Sequence, residues 1–285
     1  MTRSGFCRNI GSCSFCDRSE DYDIREPAVR RVPYFCAMPD QIIYKEIPPH
    51  ARLAPFIDAY WTVTGENAGY LADKVLPDAC VDIILNTGPG FAAEVGATYM
   101  GTGGAYLIGT MTRHKEMVRP PGTRLVGIRF RPGGFPFFYD HELLRDTADR
   151  TIEFDPGLVP AIPESSAGLA AVLDRYFFHR FAIPSRETLT LIGAVHQAKG
   201  KITVGQLARS SFVTIRQLER LFQLHLDISP KEFIGVIRFQ YAYAQVRREL
   251  SRRRLLDIAC ECGYYDHAHL SNEIRRYTGT SPSGI

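Results

Sequence analysis

A chain of 285 residues is long enough to hold two domains, each with its own hydrophobic core. No apolar run approaches the roughly 20 residues that span a bilayer, and the N-terminus lacks the apolar segment of a signal peptide, so the sequence predicts a cytoplasmic protein. The net charge of +3 is divided unevenly, because residues 186–285 hold 15 Lys and Arg against 9 Asp and Glu whereas residues 1–185 hold 19 against 22. The positive C-terminal part favours a polyanionic partner.

Residues 1–37 combine Ser, Arg, Asp and Cys with little periodicity, which predicts a poorly ordered leader. Cys7, Cys13 and Cys16 follow a C-x5-C-x2-C spacing, and Cys36 lies further along the chain. A closed zinc site usually contains two C-x2-C pairs and only one is present, so we predict no metal site and no cofactor. The remaining cysteines lie in apolar segments and are expected to be small buried residues in a reducing compartment: Cys80, Cys260 and Cys262.

From about Gln41 to Phe130, short runs rich in β-branched and aromatic residues alternate with Gly, Pro and Asn. Several short strands at this spacing predict a small barrel, cupin-like in outline, or a sandwich. We place a β-rich sensor or dimerisation domain at residues 38–183. The predicted strands are Phe56–Thr64, Cys80–Leu85, Tyr106–Thr110 and Leu125–Phe130.

Four charged residues lie near these strands: Asp78, Asp82, Arg129 and Arg131. They either line an effector pocket or form ion pairs that hold the sheet together, and the sequence leaves both alternatives open. The neighbouring Trp61 is expected to lie in the core.

An amphipathic helix is predicted over residues 168–181, at the end of this domain. Its apolar stripe must be covered either by the β-rich domain or by a second subunit. The stripe consists of Leu169, Val172, Leu173, Tyr176 and Phe177. A linker at Ile183, Pro184 and Ser185 then leads into an all-helical domain at residues 184–285.

The last hundred residues carry one helix-turn-helix pattern twice. Leu207 and Ala208 precede the turn of the first copy, and Ile258 and Ala259 occupy the same places in the second, 51 residues later. A repeat of this size, apolar at helical spacing and broken at matching turns, is one supersecondary unit used twice. The second helix of each unit carries polar side chains on its outer face, as reading base edges in a major groove requires.

Capping signals fix where these helices begin. Thr214 with Gln217 and Ser229 with Glu232 are capping-box patterns, and Asp266 can cap the second recognition helix. A helix from Pro230 to about Leu250 joins the copies, and its 19 residues from Lys231 to Glu249 rise roughly 28 Å. That length approaches the ~34 Å pitch of B-DNA, so the connector predicts two recognition helices in successive major grooves.

The segment from about Lys201 to Pro282 resembles the AraC/XylS transcription regulators. Its most specific stretches are IACECGYYDHAHLS at residues 258–271 and YTGTSP at residues 277–282. Residues 60–61, 75–82 and 127–134 look like a sensor-type N-terminal domain that is often fused to this DNA-binding half. The resemblance implies an α+β protein: a β-rich N-terminal domain followed by an all-α domain with two helix-turn-helix motifs.

Two positions depart from the family pattern. Phe212 stands where the family commonly has Gly, so the first turn is either distorted or has the Phe packed beneath it. Asn272 stands where many members have Arg, and because Asn pairs with adenine, the preferred base there is expected to differ.

The position of each residue on its helix selects the candidate contacts to DNA. Leu218, Leu221 and Phe222 should face the core of the first unit. His269 follows His267 by two residues, and because i and i+2 side chains diverge on a helix, His269 should instead support the local fold of the second unit. The candidate DNA-binding residues are Arg216, Glu219, Arg220 and Gln223 on the first recognition helix, His267, Ser271 and Asn272 on the second, and Arg252, Arg253 and Arg254 in the loop before the second unit.

These features predict a sequence-specific transcription regulator rather than an enzyme, and the chain contains no P-loop, nucleophile elbow or dinucleotide fingerprint. The expected partners are double-stranded DNA, a small-molecule effector, a second copy of the chain, and RNA polymerase if the protein is an activator; no membrane is expected. Two alternatives stay open. The leader cysteines suggest a zinc-dependent DNA repair or adaptive-response regulator, and Phe212 with Asn272 suggests an interaction module that no longer binds DNA.

Overall fold

A computed structural model describes residues 42–65, 71–92, 98–163, 168–182 and 187–285. The predictions for the leader at residues 1–37, including Cys7, Cys13, Cys16 and Cys36, and for the linker at residues 183–185 lie outside the described residues. Over the described chain, the predicted combination of a β-rich N-terminal part and a helical C-terminal part is confirmed.

The N-terminal part is built on one antiparallel sheet of six strands in the order β1-β2-β9-β4-β7-β10. A ribbon formed by β3 and β8 and a short pair formed by β5 and β6 accompany it. The predicted strands correspond to β2, β4, β7 and β9, and each boundary agrees within two residues. The strands are β1 (Ile42–Ile47), β2 (Ile57–Gly65), β3 (Leu71–Val75), β4 (Val81–Asn86), β5 (Phe91–Ala92), β6 (Tyr99–Met100), β7 (Ala105–Ile108), β8 (Lys115–Arg119), β9 (Arg124–Phe130) and β10 (Thr151–Phe154).

The six-stranded sheet is apolar on both faces. Consecutive residues of a strand point to opposite sides, and neighbouring residues of its strands are both buried. Tyr60 and Trp61 show this on β2, since both are buried but belong to different hydrophobic clusters. Gly127 lies opposite Trp61 on β9, and a Cβ atom there would overlap the indole ring. A glycine is therefore required for the buried tryptophan to lie flat against the sheet.

Helix α1 (Leu169–Arg180) covers one face of this sheet. Leu169, Leu173 and Phe177 are buried in the same cluster as the sheet residues, whereas Val172 is 36% exposed. The apolar stripe is thus covered by the chain's own sheet, which settles the alternative of a second subunit for these three residues. Val172 lies one position off the buried line, which explains why the predicted stripe was too wide.

Residues 187–285 form six α-helices. Each recognition helix packs with the helix before it, and α5 contributes to both of the resulting cores, with Phe233 in the first and Val246 in the second. Phe239 of α5 stacks on Tyr277 with ring centroids 4.6 Å apart. The connector is therefore buried at both ends. The helices are α2 (Glu187–Gln197), α3 (Val204–Ser210), α4 (Ile215–Leu226), α5 (Pro230–Glu249), α6 (Leu255–Glu261) and α7 (His267–Thr278).

Side chains of the two parts contact each other directly. Leu76 and Ala79, from the β3–β4 connection, lie in the hydrophobic cluster of α2, α4 and α5. Gln240 of α5 donates from Nε2 to the carbonyl of Pro77 at 3.0 Å, and Lys74 donates from Nζ to the carbonyl of Thr278, the last residue of α7, at 2.9 Å. The N-terminal part thus reaches both the connector helix and the end of the second recognition helix.

Over the described residues, no helix combines the length and the apolar character needed to cross a bilayer.

Candidate DNA-binding site

The turns of the two helix-turn-helix units have the same hydrogen bonds. In the first, the amide of Phe212 donates to the carbonyl of Arg209, and Val213 donates to Ala208. In the second, Gly263 donates to Cys260 and Tyr264 to Ala259. Phe212 and Gly263 both have positive φ, +56° and +81°. The two units therefore share one turn geometry, as the repeat predicts.

Phe212 neither distorts this turn nor packs beneath it, so both expectations for this residue were wrong. Its side chain is 96% exposed, because the left-handed backbone points Cβ away from the helices. An L-residue in this conformation costs roughly 1–2 kcal/mol, and Gly263 in the other copy avoids that cost.

Replacing Phe212 by glycine is expected to raise the free energy of unfolding by about 1 kcal/mol, because relief of strain exceeds the added freedom of the unfolded chain. Thermal melting of the full chain measures the change. Phe212→Ala is the control, since alanine removes the exposed ring but keeps the strained backbone. Equal melting temperatures for the two variants would contradict this explanation.

The outer face of α4 carries the four side chains that the sequence selects. Leu218, Leu221 and Phe222 are buried, as predicted. On the exposed side, within the described residues, Arg216, Glu219 and Arg220 make no side-chain hydrogen bond or ion pair, whereas Gln223 donates from Nε2 to Oδ1 of Asp227 at 2.7 Å. Contact with DNA stays a prediction for all four: Arg216, Glu219, Arg220 and Gln223, each of them exposed.

The capping residues begin the helices where the sequence predicts. The Thr214–Gln217 and Ser229–Glu232 capping boxes are both complete, and a third joins Thr203 and Gln206 at the start of α3. The carboxylate of Asp266 accepts a hydrogen bond from the amide of His269 at 2.7 Å and so begins α7. These caps fix the direction in which each recognition helix points.

The second recognition helix presents a less uniform face. His267 and Asn272 are exposed, but Ser271 is half-buried and its hydroxyl donates to the carbonyl of His267 at 2.7 Å. That hydroxyl hydrogen is therefore already used, and Ser271 keeps only its acceptor capacity. The exposed Arg275 lies four residues after Ser271 on the same face, and sequence analysis missed it although the spacing predicts the position.

The three arginines before α6 differ from one another. Arg253 bridges Glu249 and Glu261 from Nη1 at 2.6 and 2.8 Å, and its hydrogen bond lowers the pKa of Glu249. Arg254 pairs with Asp257 at 3.0 Å. Within the described residues, only Arg252 of the three has no side-chain partner, so it is the one left for a phosphate.

His269 and Cys262 of the second unit make structural contacts. His269 packs edge-on against Tyr264, with ring centroids 5.1 Å apart. Burial raises the pKa of the Cys262 thiol to about 11, so the group is an unreactive apolar side chain at neutral pH. The prediction that Cys260 is buried was wrong, because α6 buries Ile258 and Ala259 and the next residue turns outward. In the described part of the chain, His, Cys, Asp and Glu side chains form no group of three that could hold a metal ion.

The charged residues of the β-rich part come together around Arg129. This guanidinium, 4% exposed, lies 3.1 Å from Glu46 and 3.6 Å from Asp82. Asp82 also accepts a hydrogen bond from the indole nitrogen of Trp61 at 2.8 Å. Farther carboxylates complete the network: Asp58 and Asp78 lie 3.9 Å from Arg129, and Arg131 lies 3.2 Å from Asp58. The geometry favours ion pairs that join strands over the walls of an effector pocket.

Comparison with known proteins gives two domain matches. A family model described as a domain of unknown function, DUF6597, matches residues 45–153, and one described as a helix-turn-helix domain matches residues 207–285. The second match spans both predicted units.

Two regulators resemble the chain in sequence. It is 32% identical over 106 residues to the HTH-type transcriptional regulator CdhR of Pseudomonas aeruginosa, and the aligned segment covers 36% of this chain and 31% of CdhR. It is 31% identical over 104 residues to an uncharacterized HTH-type transcriptional regulator of Haemophilus influenzae, and this aligned segment covers 36% of this chain and 34% of that protein. The chain thus spans about a third of each relative.

Solved structures include more distant neighbours. ToxT from Vibrio cholerae superposes with a TM-score of 0.45 at 8% identity, covering 86% of this chain and 97% of ToxT. An AraC-type DNA-binding domain protein from Chromobacterium violaceum has a TM-score of 0.31 at 19% identity, covering 35% of this chain and 92% of that one. By its two family matches, the chain carries an N-terminal DUF6597 domain and a C-terminal helix-turn-helix domain, and the predicted resemblance to the AraC/XylS transcription regulators is confirmed.

Proposed function

We propose that the chain is a sequence-specific transcription regulator that places α4 and α7 in successive major grooves of one duplex. The observation that carries the proposal is the pair of matched helix-turn-helix units with exposed polar faces, joined by a single buried connector. The 20 residues of α5 rise about 30 Å, close to one turn of B-DNA. One polypeptide then supplies the two recognition elements that a dimeric repressor takes from two subunits.

The charges of the C-terminal part support this proposal. Arg216 and Arg220 lie four residues apart on the outer face of α4 and make no ion pair within the described residues, so both guanidinium groups are available for guanine or phosphate. Glu219, also exposed on α4, can accept from the amino group of cytosine. The sequence-independent part of the affinity comes from phosphate contacts by Lys and Arg.

The N-terminal domain is proposed to control this DNA-binding half. It either binds a small-molecule effector or joins two copies of the chain, with RNA polymerase as a further partner if the regulator is an activator. We place the boundary between the two domains at residues 183–184. We also propose that the protein is cytoplasmic and is not an enzyme. A thermal-shift screen of small metabolites against the full chain tests the first alternative, since a bound ligand raises the melting temperature.

Binding to genomic fragments tests the DNA-binding function itself. At physiological salt, the full chain should prefer at least one fragment over random duplex by about a thousandfold or more. Equal affinity for every fragment and for random duplex would contradict the proposal.

The arginine loop gives a separate prediction. Arg252→Ala should reduce the slope of log affinity against log salt by about 0.9, because one phosphate contact is lost. Arg253→Ala is the matched control: its guanidinium is held by Glu249 and Glu261, so the slope should stay unchanged. Titration of both variants between 50 and about 200 mM salt measures the slopes. A reduced slope for Arg253→Ala alone would show that Arg253, and not Arg252, contacts the phosphate.

A further inference from the structure

Asp227 lies at the end of α4, where it contacts both the recognition helix and the N-terminal domain. Its Oδ2 accepts hydrogen bonds from the backbone amides of Thr147 at 2.8 Å and Ala148 at 2.9 Å. Its Oδ1 accepts the hydrogen bond from Nε2 of Gln223 at 2.7 Å. The residue is 8% exposed. One buried carboxylate therefore joins a candidate base-reading side chain to the other domain.

The second copy of the repeat shows that ending the helix does not require this carboxylate. Asp227 has a φ of +58° and its amide returns to the carbonyl of Gln223, while Gly279 ends α7 with a φ of +72° and an amide bonded to the carbonyl of Arg275. Glycine adopts this conformation without strain. Because the first copy has an aspartate where glycine would suffice, the use of the carboxylate lies in its contacts.

The N-terminal side of the contact is held in place. Thr147 is buried, and its hydroxyl donates to the carbonyl of Leu144 at 2.7 Å. A Cβ atom at Gly109, the residue after β7, would overlap the backbone of Thr147, so the chain packs tightly against this loop there. The two amides are therefore presented to Asp227 in a fixed position and are not free to follow the helix.

The last turn of α4 is also fixed on another side. His225 shares a hydrogen bond between its Nδ1 and the hydroxyl of Thr188 on α2, at 2.6 Å. Its ring contacts that of His141 in the N-terminal domain, with centroids 6.3 Å apart. Burial, followed by the nearby His141, lowers the pKa of His225, so this contact is made by a neutral ring at neutral pH.

The contact with Asp227 sets the orientation of the Gln223 amide. Because a carboxylate only accepts hydrogen bonds, the NH2 group of Gln223 must be the side that faces it. Gln223 follows Arg216 by seven residues and Arg220 by three, so the three side chains share one face of the helix. A glutamine pairs with adenine by donating from Nε2 to N7 and accepting at Oε1 from N6. With one Nε2 hydrogen held by Asp227, the second hydrogen and Oε1 remain for a base.

We propose that Asp227 is a positioning residue, which holds the Gln223 amide in its base-reading orientation while the N-terminal domain is docked on α4. Docking of the N-terminal domain thereby controls base preference at the position that Gln223 contacts. This inference rests on the proposed DNA-binding function. The N-terminal domain thereby influences which base is preferred as well as whether DNA is bound.

A double-mutant cycle on the full chain tests the proposal. The duplex is the sequence that the wild-type chain selects from a random pool, together with variants substituted at each base pair in turn. We expect Asp227→Gly to weaken discrimination at one base pair roughly threefold to tenfold, the usual cost of immobilising a free side chain, and to leave affinity for random duplex unchanged. In a Gln223→Ala background, Asp227→Gly should change discrimination no further.

Two controls separate this role from a purely structural one. Asp227→Gly should keep the fold, since Gly279 ends α7 in the same way, and thermal melting verifies it. Gln240→Ala removes the hydrogen bond to Pro77, another contact between the domains, without touching a recognition helix, and should leave discrimination unchanged.

Three results would overturn the inference: full discrimination in Asp227→Gly, an equal loss at every base pair, or a further loss in the Gln223→Ala background. A wild-type chain that selects no sequence would overturn the DNA-binding function together with it. The two failures are therefore distinguishable.

Discussion

Replacing Arg216 and Arg220 together by alanine is expected to lower affinity for the selected duplex by between about thirtyfold and twenty-thousandfold, since each bidentate contact to guanine contributes roughly 1–3 kcal/mol. Both side chains are exposed, and neither has a partner within the described residues, so their removal leaves no buried charge behind. The loss should be concentrated at the base pairs that α4 contacts. Affinity for random duplex should fall much less, because it depends on phosphate contacts.

Fluorescence anisotropy with the selected and a scrambled duplex measures both affinities. Arg175→Ala is the matched control: it removes an exposed arginine from α1, in the other domain, and should change neither affinity. Circular dichroism should show unchanged helix content in the double variant. Wild-type affinity in the double variant, with the fold intact, would show that Arg216 and Arg220 make no base contact and would contradict α4 as a recognition helix.

The second large effect concerns Arg129. Its replacement by alanine is expected to lower the free energy of unfolding by about 3–5 kcal/mol, because carboxylates buried around the guanidinium lose their counter-charge. Asp82 is the most affected of them, since it is 1% exposed and lies 3.6 Å from the guanidinium, whereas the indole of Trp61 that donates to it carries no charge. Chemical denaturation followed by the fluorescence of Trp61, the single tryptophan of the chain, reports on this region directly.

Arg131→Ala is the comparison for this variant. The Arg131 side chain is 27% exposed, so solvent can replace part of its contact with Asp58 and the destabilisation should be about 1 kcal/mol. If both variants lost equal stability, burial of the ion network would not be the cause. A raised stability in Arg129→Ala would indicate that desolvation of the buried guanidinium costs more than its attraction to the carboxylates contributes.

The sequence predicts those features that depend on local periodicity and capping. The Thr214 and Ser229 boxes mark where α4 and α5 begin, and the burial of Leu218, Leu221 and Phe222 follows from helical spacing alone. The central strands β2, β4, β7 and β9 were predictable for a similar reason, since they are almost continuous apolar runs. β8, with sequence KEMVR, has mixed charges and lies in a two-stranded ribbon, and no apolar run marks it.

Long-range contacts account for the features that the sequence does not predict. Asp227 is an ordinary polar residue until Thr147 and Ala148, some 80 positions earlier, are brought to it. Arg253 is one member of a run of three arginines, and only the folded loop shows that Glu249 and Glu261 hold it. Local sequence describes which side chains a helix exposes, but the partners of those side chains depend on the packing of distant segments.

Selection of duplexes from a random pool by the full chain tests the central claim most directly. Two matched units joined by α5 predict an enriched sequence with two blocks whose centres lie about 10 base pairs apart, one turn of B-DNA. Asn272→Ala should remove preference in one block only, and Arg216→Ala in the other. Enrichment of a single block, or of two blocks at unrelated spacings, would show that α4 and α7 do not enter successive grooves.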